Sequence, residues 1–329
     1  MERKFPWVLV NSEDVLESLS VYLFFLIGLA FIIKGGDIFV DASSWIAKAL
    51  GLPEFLVGAT VVSIATTLPE LFVSAIAASQ GRVEMAVSNA VGSSTANLGL
   101  ILAISVIFAP QTAERKLYGI KALLLTAALL IILLFSLSGS ISIIASIMLI
   151  AVFLLFVFEN IASLRTSDAK KAERVPAGKR DLAVNSLKFV FGAAGIVIGA
   201  DLLVDNGTII AHMLSIPDSV IGATVIAVGT SIPELVTAIA ALKKGSASLS
   251  VGNILGANII DVTLILPLCS LVSGSALPVA GQNLMFDIPA CLVLCLIALI
   301  PMIIKQRFSR LQGTALLGAY IGYILLILL

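Results

Sequence analysis

The sequence predicts an all-α polytopic membrane protein whose ten transmembrane helices form two inverted five-helix repeats. Three observations predict this fold: an apolar composition, ten apolar stretches of membrane-spanning length, and an internal repeat at half the chain length. Of the 329 residues, 59% are hydrophobic and 12% are charged, and the mean hydropathy is +1.12. Soluble proteins carry about 45–50% apolar and about 25% charged residues. This chain has too little charge to cover the surface of soluble domains of its length.

The charged, cysteine and histidine residues exclude several classes of function. Lys and Arg total 20, as do Asp and Glu, so no excess of positive charge predicts a nucleic-acid partner. Three Cys and a single His provide neither a disulfide framework nor a Cys/His zinc site. The sequence lacks a Walker A motif, so we expect no nucleotide partner and no ATP-driven pump. We expect no enzymatic activity and no prosthetic group.

Ten apolar stretches follow one another along the chain, and a transmembrane helix needs about 20 mostly apolar residues. The predicted spans are 18–49, 53–79, 85–108, 118–136, 140–163, 184–213, 217–242, 248–273, 286–304 and 312–329. The first and sixth are longer than the bilayer requires, so we expect them to be tilted. The predicted organisation is an N-terminal tail (1–17), a first five-helix repeat (18–163), a cytoplasmic linker (164–183) and a second five-helix repeat (184–329).

Basic residues concentrate on alternate connections between the spans, which predicts the orientation because cytoplasmic loops are enriched in Lys and Arg. If the N-terminus is outside, the outside connections contain only Arg82, and the tail adds Arg3 and Lys4. The sequence therefore predicts a multi-pass cell-membrane protein with both termini outside. The basic residues then assigned to the inside are Lys48, Arg115, Lys116, Lys121, those of 165–180, Lys243, Lys244, Lys305, Arg307 and Arg310.

An internal repeat relates the two halves. A shift of 164 residues aligns 34–97 with 198–261 without a gap and gives 21 identities in 64 pairs. Many of the identical residues are Gly, Pro, Asp, Glu, Asn or Thr, which an apolar composition alone does not supply. Because each half has five spans, an odd number, the second half must enter the membrane from the opposite side. Inverted repeats are typical of secondary transporters, whose substrate site lies near the midplane where the repeats meet.

Glu70 and Glu234 occupy matched positions near the middle of the second and seventh spans, where an acidic residue costs about 2.5–3.5 kcal/mol on insertion scales. Neither span has a basic residue at that depth, so two unpaired acids predict a bound cation. Proline precedes each glutamate and deprives the carbonyl four residues earlier of its helical partner. Carboxylate, carbonyl and hydroxyl oxygens together form a site for a hard cation such as Ca²⁺, which takes 6–8 oxygen ligands. The neighbouring hydroxyls are those of Thr66, Thr67, Thr230 and Ser231.

A second matched polar row lies in the third and eighth spans. It ends at Asn97 and Asp261, each 27 residues after the glutamate of its own half. We expect both side chains to act as ligands, Asp261 with the stronger case because it is ionisable. Gly92 and Gly256 in the same row are expected to serve close helix packing, as small residues do in membranes.

These two motifs, spaced alike in both halves, closely resemble the α-repeats of the cation/Ca²⁺ exchanger superfamily, above all its compact prokaryotic Na⁺/Ca²⁺ exchangers. The pattern G-T-S-x-P-E followed by G-N-x-x-G-S-N-x-x-N/D is highly specific. The resemblance implies that Glu70 and Glu234 bind Ca²⁺ and share it with Na⁺, and that Thr66 and Thr230 add oxygens for both ions. It assigns mainly Na⁺ positions to Thr67, Ser231, Asn97, Asp261, Ser93 and the carbonyl of Ala227.

The sequence departs from the family pattern at several positions. Ala257 stands where the family has a serine that helps to hold Na⁺, so one oxygen is missing. This difference bears on the affinity of one Na⁺ site and on the ion stoichiometry. The other departures are Ala65, Thr67, Ser88 and Ser94.

The function predicted from these residues is a Ca²⁺ antiporter driven by Na⁺. One alternative is a K⁺-dependent or H⁺-coupled exchanger of the same fold. Potassium-dependent relatives carry an Asp like Asp261, whereas proton-coupled relatives have further acidic residues that this chain lacks. The other alternative is a cation channel, but inverted repeats around paired glutamates favour alternating access over a continuous pore.

Overall fold

A computed structural model describes residues 12–166, 178–214, 229 and 231–328. Nearly all of these residues are helical, and several helices contain short π-helical segments, here named π1 to π4. The first half contains α1 (Ser12–Leu50), α2 (Glu54–Val57), π1 (Gly58–Val62), α3 (Ser63–Thr66), α4 (Leu68–Ser79), α5 (Val83–Ala96), π2 (Asn97–Leu102), α6 (Ala103–Phe108), α7 (Arg115–Ser136), β1 (Ser140–Ile141) and α8 (Ile143–Thr166). The second half contains α9 (Lys179–Met213), α10 (Ile232–Lys243), α11 (Ala247–Ile260), π3 (Asp261–Ile265), α12 (Leu266–Ser273), β2 (Leu277–Pro278), π4 (Asn283–Asp287), α13 (Ile288–Lys305) and α14 (Arg310–Leu328).

The predicted all-α membrane fold is confirmed. Within the described part of the chain, eight helices are long and apolar enough to cross a membrane, and a ninth span is the bent pair Glu54–Thr66 and Leu68–Ser79. The remaining predicted span, 217–242, is the seventh along the chain, and much of it falls outside the described residues, with only its end seen, as α10. Most of the predicted tail and linker also lies outside them. The count of ten therefore stays a prediction.

The two longest helices, α1 and α9, pack against each other through glycines. A Cβ on Gly28 would lie 2.9 Å from the carbonyl oxygen of Gly199, and a Cβ on Gly35 would lie 2.9 Å from that of Gly192. As the residue number rises along α1 it falls along α9, so the helices are antiparallel. Small residues let the two backbones approach closely, which is how helices associate where lipid is as apolar as the side chains.

The 164-residue register of the sequence repeat is also visible in the structure. Helices α4 and α10 begin and end at equivalent positions, as do α5 and α11, and π2 and π3 both begin directly after them. Gly81 and Gly245, also equivalent, both have positive φ, at 77° and 74°. Only glycine adopts this conformation without a steric penalty, so the same tight turn follows α4 and α10.

The second and eighth spans are in close contact, again through glycines. A Cβ on Gly252 would lie 2.2 Å from the carbonyl oxygen of Phe55, and a Cβ on Gly256 would lie 2.7 Å from that of Ala59. The packing role expected of Gly256 is therefore confirmed. A Cβ on Gly92 would have no atom of the described residues within 4 Å. The packing role of Gly92 stays a prediction.

Two short strand pairings join connections from opposite halves. β1, which precedes α8, pairs antiparallel with β2, which follows α12. At the equivalent connections, with the halves exchanged, Thr112 forms an isolated antiparallel bridge with Arg307. The two halves are therefore joined at two places by equivalent strand pairings.

One basic residue assigned to an inside connection is instead buried in a helix. Lys121 lies in α7, is fully buried, and forms an ion pair with Glu159 of α8. Its ammonium group also lies 5.4 Å from the centre of the Phe55 ring. An isolated charge at this depth would be costly, and the ion pair explains why the helix contains it. The assignment of Lys121 to a loop was wrong, because sequence hydropathy does not show the partner.

Candidate ion-binding site

The helix break that carries each glutamate has the same local structure in both halves. The second span bends by 43° at Thr67, between α3 and α4. Thr67 has φ −84° and ψ −2°, and its equivalent Ser231 has φ −88° and ψ 7°. A proline lies two residues further on in each case, where its missing N–H and its ring prevent a regular helix. The break therefore places Glu70 and Glu234 in the first turns of α4 and α10.

Glu70 is buried, with 1% of its surface exposed. Neither of its carboxylate oxygens has a hydrogen-bond partner among the described residues. Its backbone carbonyl accepts a hydrogen bond from the side-chain amide of Asn89, which also donates to Ser74 at 2.9 Å. The main chain is thus held in place while the carboxylate oxygens remain available to a ligand.

Glu234 is fully buried and lies across from the first half. Its Oε1 accepts a hydrogen bond from the hydroxyl of Thr67 at 3.3 Å, and its Oε2 has no partner among the described residues. Glu70 is close enough to Glu234 and Asp261 for the carboxyl groups to repel one another when ionised. Thr67 and Glu234 come from different halves, so the two halves meet at these carboxylates.

The π-segments bring the second polar row to the same place. Asn97 begins π2, which packs against the Glu234 helix α10, and Asp261 begins π3, which packs against the Glu70 helix α4. Asp261 Oδ2 accepts a hydrogen bond from Ser94 at 3.3 Å, while its Oδ1 has no described partner. Neither side-chain atom of Asn97 has one either. A π-turn often marks a functional site, because the extra residue re-aims the side chains that follow.

The described residues predicted for the site are all buried. Thr66 donates a hydrogen bond to Asn253 at 3.2 Å, again between the two halves. The hydroxyl of Ser231 has no partner in the described part of the chain. Thr230 and Ala227 lie outside the described residues. The buried members are Thr66, Thr67, Glu70, Ser93, Asn97, Ser231, Glu234 and Asp261.

The site offers oxygen ligands of several kinds and not a cluster of several acidic side chains. Among the described residues, no three His, Cys, Asp or Glu side chains are grouped as a metal site would require. Cys269, Cys291 and Cys295 are free and buried. An ion between Glu70 and Glu234 would therefore complete its coordination with hydroxyl, amide and carbonyl oxygens, which suit a hard cation.

Several polar residues around the site were not predicted to act there. Asn89 and Asn253 were matched in the repeat, yet their contacts with the glutamate and threonine motifs become visible only in the structure. Ser94 was noted only as a departure from the family pattern, but it contacts Asp261. A further acid that was not predicted from the sequence is Asp287 of π4, a segment that packs against α5. It is buried and accepts hydrogen bonds from Asn283 at 2.8 Å and Tyr323 at 2.9 Å.

Together, the fold and the geometry define a multi-pass membrane protein with a buried, acidic polar site where its two halves meet. The chain belongs to the sodium/calcium exchanger protein family, which matches residues 20–162 and, separately, residues 185–329.

Relatives of similar length support this assignment. The sodium/calcium exchanger MaX1 of Methanosarcina acetivorans is 31% identical over 93% of this chain and 98% of that protein. The uncharacterized membrane protein MJ0091 of Methanocaldococcus jannaschii is 31% identical over 91% of this chain and 95% of its own length. A structure of the sodium-calcium exchanger NCX_Mj, soaked with 2.5 mM Na⁺ and 0.1 mM Ca²⁺, superposes with a TM-score of 0.81. It is 28% identical and covers 93% of this chain and 97% of that one.

Proposed function

We propose that this protein is a secondary antiporter that exchanges Ca²⁺ for Na⁺ across the cell membrane by alternating access. The observation that carries the proposal is the pair of buried glutamates from opposite halves, three of whose four carboxylate oxygens have no partner among the described residues. Buried charges are paired or bind metal ions, because an isolated one is strongly disfavoured. A divalent cation would neutralise Glu70 and Glu234 together.

In this proposal Ca²⁺ and Na⁺ compete for one set of oxygens. Glu70 and Glu234 bind Ca²⁺ and share it with Na⁺, and Thr66 and Thr230 add oxygens for both ions. The remaining predicted residues form flanking Na⁺ positions: Thr67, Ser93, Asn97, Ala227, Ser231 and Asp261. Ala257 supplies no hydroxyl, so the Na⁺ position beside it has one oxygen fewer than in the family pattern.

The charge of the site explains why transport would be coupled. Without a cation, the two ionised glutamates place two uncompensated negative charges inside the membrane, and each is costly at that depth. A conformational change that moves the empty site through an occluded state is therefore disfavoured. Binding of one Ca²⁺, or of at least two Na⁺, compensates these two charges, so the protein changes its access only when loaded. Exchange follows from this selectivity, with no need for nucleotide hydrolysis.

Two structural observations support the inverted arrangement of the halves. First, α1 and α9 occupy equivalent places in the repeat but run antiparallel. Second, β1 lies between the fourth and fifth spans of its half, whereas β2 lies between the third and fourth spans of the other half. These two connections lie on opposite sides within one repeat, because one span separates them. Their pairing at one surface is what an inversion of one half relative to the other predicts.

Flux measurements test the function. Purified protein in proteoliposomes is given ⁴⁵Ca²⁺ outside, with an outward gradient of Na⁺, K⁺ or H⁺ in separate arms. We expect saturable Ca²⁺ uptake with the Na⁺ gradient only. Uptake that needs K⁺ as well, or that follows the H⁺ gradient, would replace Na⁺/Ca²⁺ exchange by one of the other coupling modes. Uptake that is independent of any trans-ion and does not saturate would indicate a channel.

The orientation is tested by cysteine accessibility. In the proposed topology, with both termini outside, Ser138 lies outside and Lys179 lies inside. Both residues are exposed, whereas the three native cysteines are buried and would be replaced first. In intact cells, an impermeant thiol reagent should label Ser138→Cys and spare Lys179→Cys. The reverse labelling pattern would show that the termini face the cytoplasm, and it would leave the assignment of the ion site unaffected.

A further inference from the structure

A cavity of about 510 Å³ lies between α8 and α12, apart from the ion site. This volume falls within the range of pockets that hold small organic molecules. One wall contains Ile143, Ser146 and Ile147, and the other contains Pro267, Leu268 and Leu271. The rim is apolar and faces outward, since Ile147 is 64% exposed and Leu271 is 78% exposed. Both walls belong to membrane spans, so the cavity opens onto the hydrocarbon of the bilayer.

The equivalent place in the repeat contains a smaller opening, of about 380 Å³, with a different lining. It is lined by Pro110, Arg307 and Arg310, the repeat equivalents of Gly274, Ile143 and Ser146 in the first cavity, so basic residues replace an apolar one and a hydroxyl.

Beside this opening the helices are packed together. A Cβ on Gly313 of α14 would lie 2.7 Å from Ile107 and 2.9 Å from the carbonyl oxygen of Ala103. Ile107 and Ala103 are the repeat equivalents of Leu271 and Pro267 in the cavity wall. The equivalent of Gly313 is Leu149, a buried residue with a much larger side chain. The apolar and larger opening is thus found where a leucine stands in place of the closely packed glycine of the equivalent contact.

One polar group in the cavity wall has no partner. The hydroxyl oxygen of Ser146 is buried, and its residue is only 6% exposed, yet it has no hydrogen-bond partner among the described residues. Burying a hydroxyl without a partner costs about 1–3 kcal/mol. Ser146 lies three residues into α8, roughly 5 Å from its start by the helical rise, and therefore near one surface of the membrane. A ligand that supplies an oxygen at this depth would satisfy the hydroxyl.

We propose that this cavity binds one acyl chain of a bilayer phospholipid, with an oxygen of the glycerol linkage accepting a hydrogen bond from Ser146. The apolar walls match the chain, and the depth of Ser146 matches the level at which chains join the headgroup. No charged side chain lines the cavity, so nothing there pairs with the carboxylate of a free fatty acid. A neutral ester or ether oxygen is the acceptor that fits this lining.

The site would also contact the ion-binding machinery. Leu264 lines the cavity and belongs to π3, the segment that begins with Asp261. A chain in the cavity would pack against the side of π3 and restrict its movement. The binding itself does not depend on the proposed exchange activity, so its test uses a readout separate from transport.

Photolabelling in nanodiscs tests the proposal. One arm contains a phospholipid with a diazirine on one acyl chain, and the other contains a free fatty acid with the same group. Adducts are mapped by mass spectrometry after irradiation. We expect the phospholipid to label segments 143–150 and 264–274 well above other membrane-facing segments. Even labelling of all exposed apolar positions, or labelling of these segments by the fatty acid alone, would overturn the proposal.

Two variants and a matched control sharpen the test. Leu268→Trp fills the cavity from α12 and should reduce adducts in the two segments at least tenfold. Leu154→Trp, on the exposed face of α8 outside the cavity, should leave them unchanged. Ser146→Ala keeps the volume but removes the hydroxyl, and should weaken labelling about threefold to tenfold. If Leu268→Trp is not monodisperse, Ile150→Phe fills the cavity from the opposite wall. Undiminished labelling in a folded cavity-filling variant would refute the site.

Discussion

Replacing Glu70 by glutamine tests the ion site most directly, because the change removes one charge and keeps the shape. Two unit charges 4 Å apart interact by about 4 kcal/mol at an effective dielectric of about 20, and a divalent ion doubles this value. Glu70 is only 1% exposed, so solvent does not screen the interaction. Even if relaxation of the site recovers half, Ca²⁺ affinity should fall roughly a thousandfold, since each 1.4 kcal/mol or so is tenfold.

In the absence of cations, Glu70→Gln should not weaken the protein but should maintain or raise its thermal stability. Wild-type Glu70 then repels Glu234 and Asp261, and the variant lacks that repulsion. We therefore expect Glu70→Gln to be at least as heat-stable as wild type in a chelator, but to lose the stabilisation by Ca²⁺. For a ligand at 100 times its dissociation constant, that stabilisation is about 2.7 kcal/mol. Thermal unfolding in detergent across a Ca²⁺ titration, together with ⁴⁵Ca²⁺ flux, measures both effects.

Glu84→Gln is the matched control, because Glu84 is an exposed acid at the start of α5. It should leave Ca²⁺ affinity and flux unchanged. Glu234→Gln should behave like Glu70→Gln, while its retained oxygen still accepts from Thr67. If Glu70→Gln kept a Ca²⁺-dependent thermal shift with a midpoint within about tenfold of wild type, the paired-carboxylate site would be wrong.

Three further predictions concern coupling and packing. Asp261→Asn should change the half-saturating Na⁺ concentration of exchange more than the half-saturating Ca²⁺ concentration. Ala257→Ser should lower the half-saturating Na⁺ concentration alone. If both variants changed only the Ca²⁺ affinity, neither residue would be a Na⁺ ligand. Gly252→Ala would place a methyl group 2.2 Å from a carbonyl oxygen, so we expect a loss of about 1–3 kcal/mol, seen as a lower melting temperature. Lys121→Met leaves Glu159 without its ion-pair partner, so we expect a loss of about 3–5 kcal/mol in the free energy of unfolding. Adding Glu159→Gln should restore most of the stability. No recovery in the double variant would mean that the broken ion pair is not the cause.

The central elements of the fold could be predicted because their signals are local. Hydropathy gave the spans within a few residues: 85–108 was predicted where the helix covers Val83–Phe108, and 248–273 where it covers Ala247–Ser273. A span must be apolar over about 20 residues, so its signal is strong in the sequence itself. Proline likewise predicted the loss of a helical hydrogen bond just before Glu70, because its missing N–H acts on the same helix, and the structure has a 43° bend there.

Contacts between distant segments could not be predicted in this way. Lys121 was assigned to a loop because its ion-pair partner Glu159 is 38 residues away and cannot be identified from the neighbouring sequence. The hydrogen bond from Ser94 to Asp261 spans 167 residues and joins the two halves. Such partners are chosen by how the helices pack and not by the local sequence.

The sequence by itself determined that the chain is a repeated, helical membrane protein and that a glutamate lies at the matched break of each half. Identical residue types at a fixed 164-residue interval carry that information without any coordinates. Only the tertiary structure decided that the two breaks face each other, that π2 and π3 pack against the glutamate helices of the opposite halves, and that α8 and α12 leave a cavity. The physical reason is that each of these features depends on the close approach of helix backbones. In a membrane that approach is set by small residues and shape, which hydrophobicity does not record.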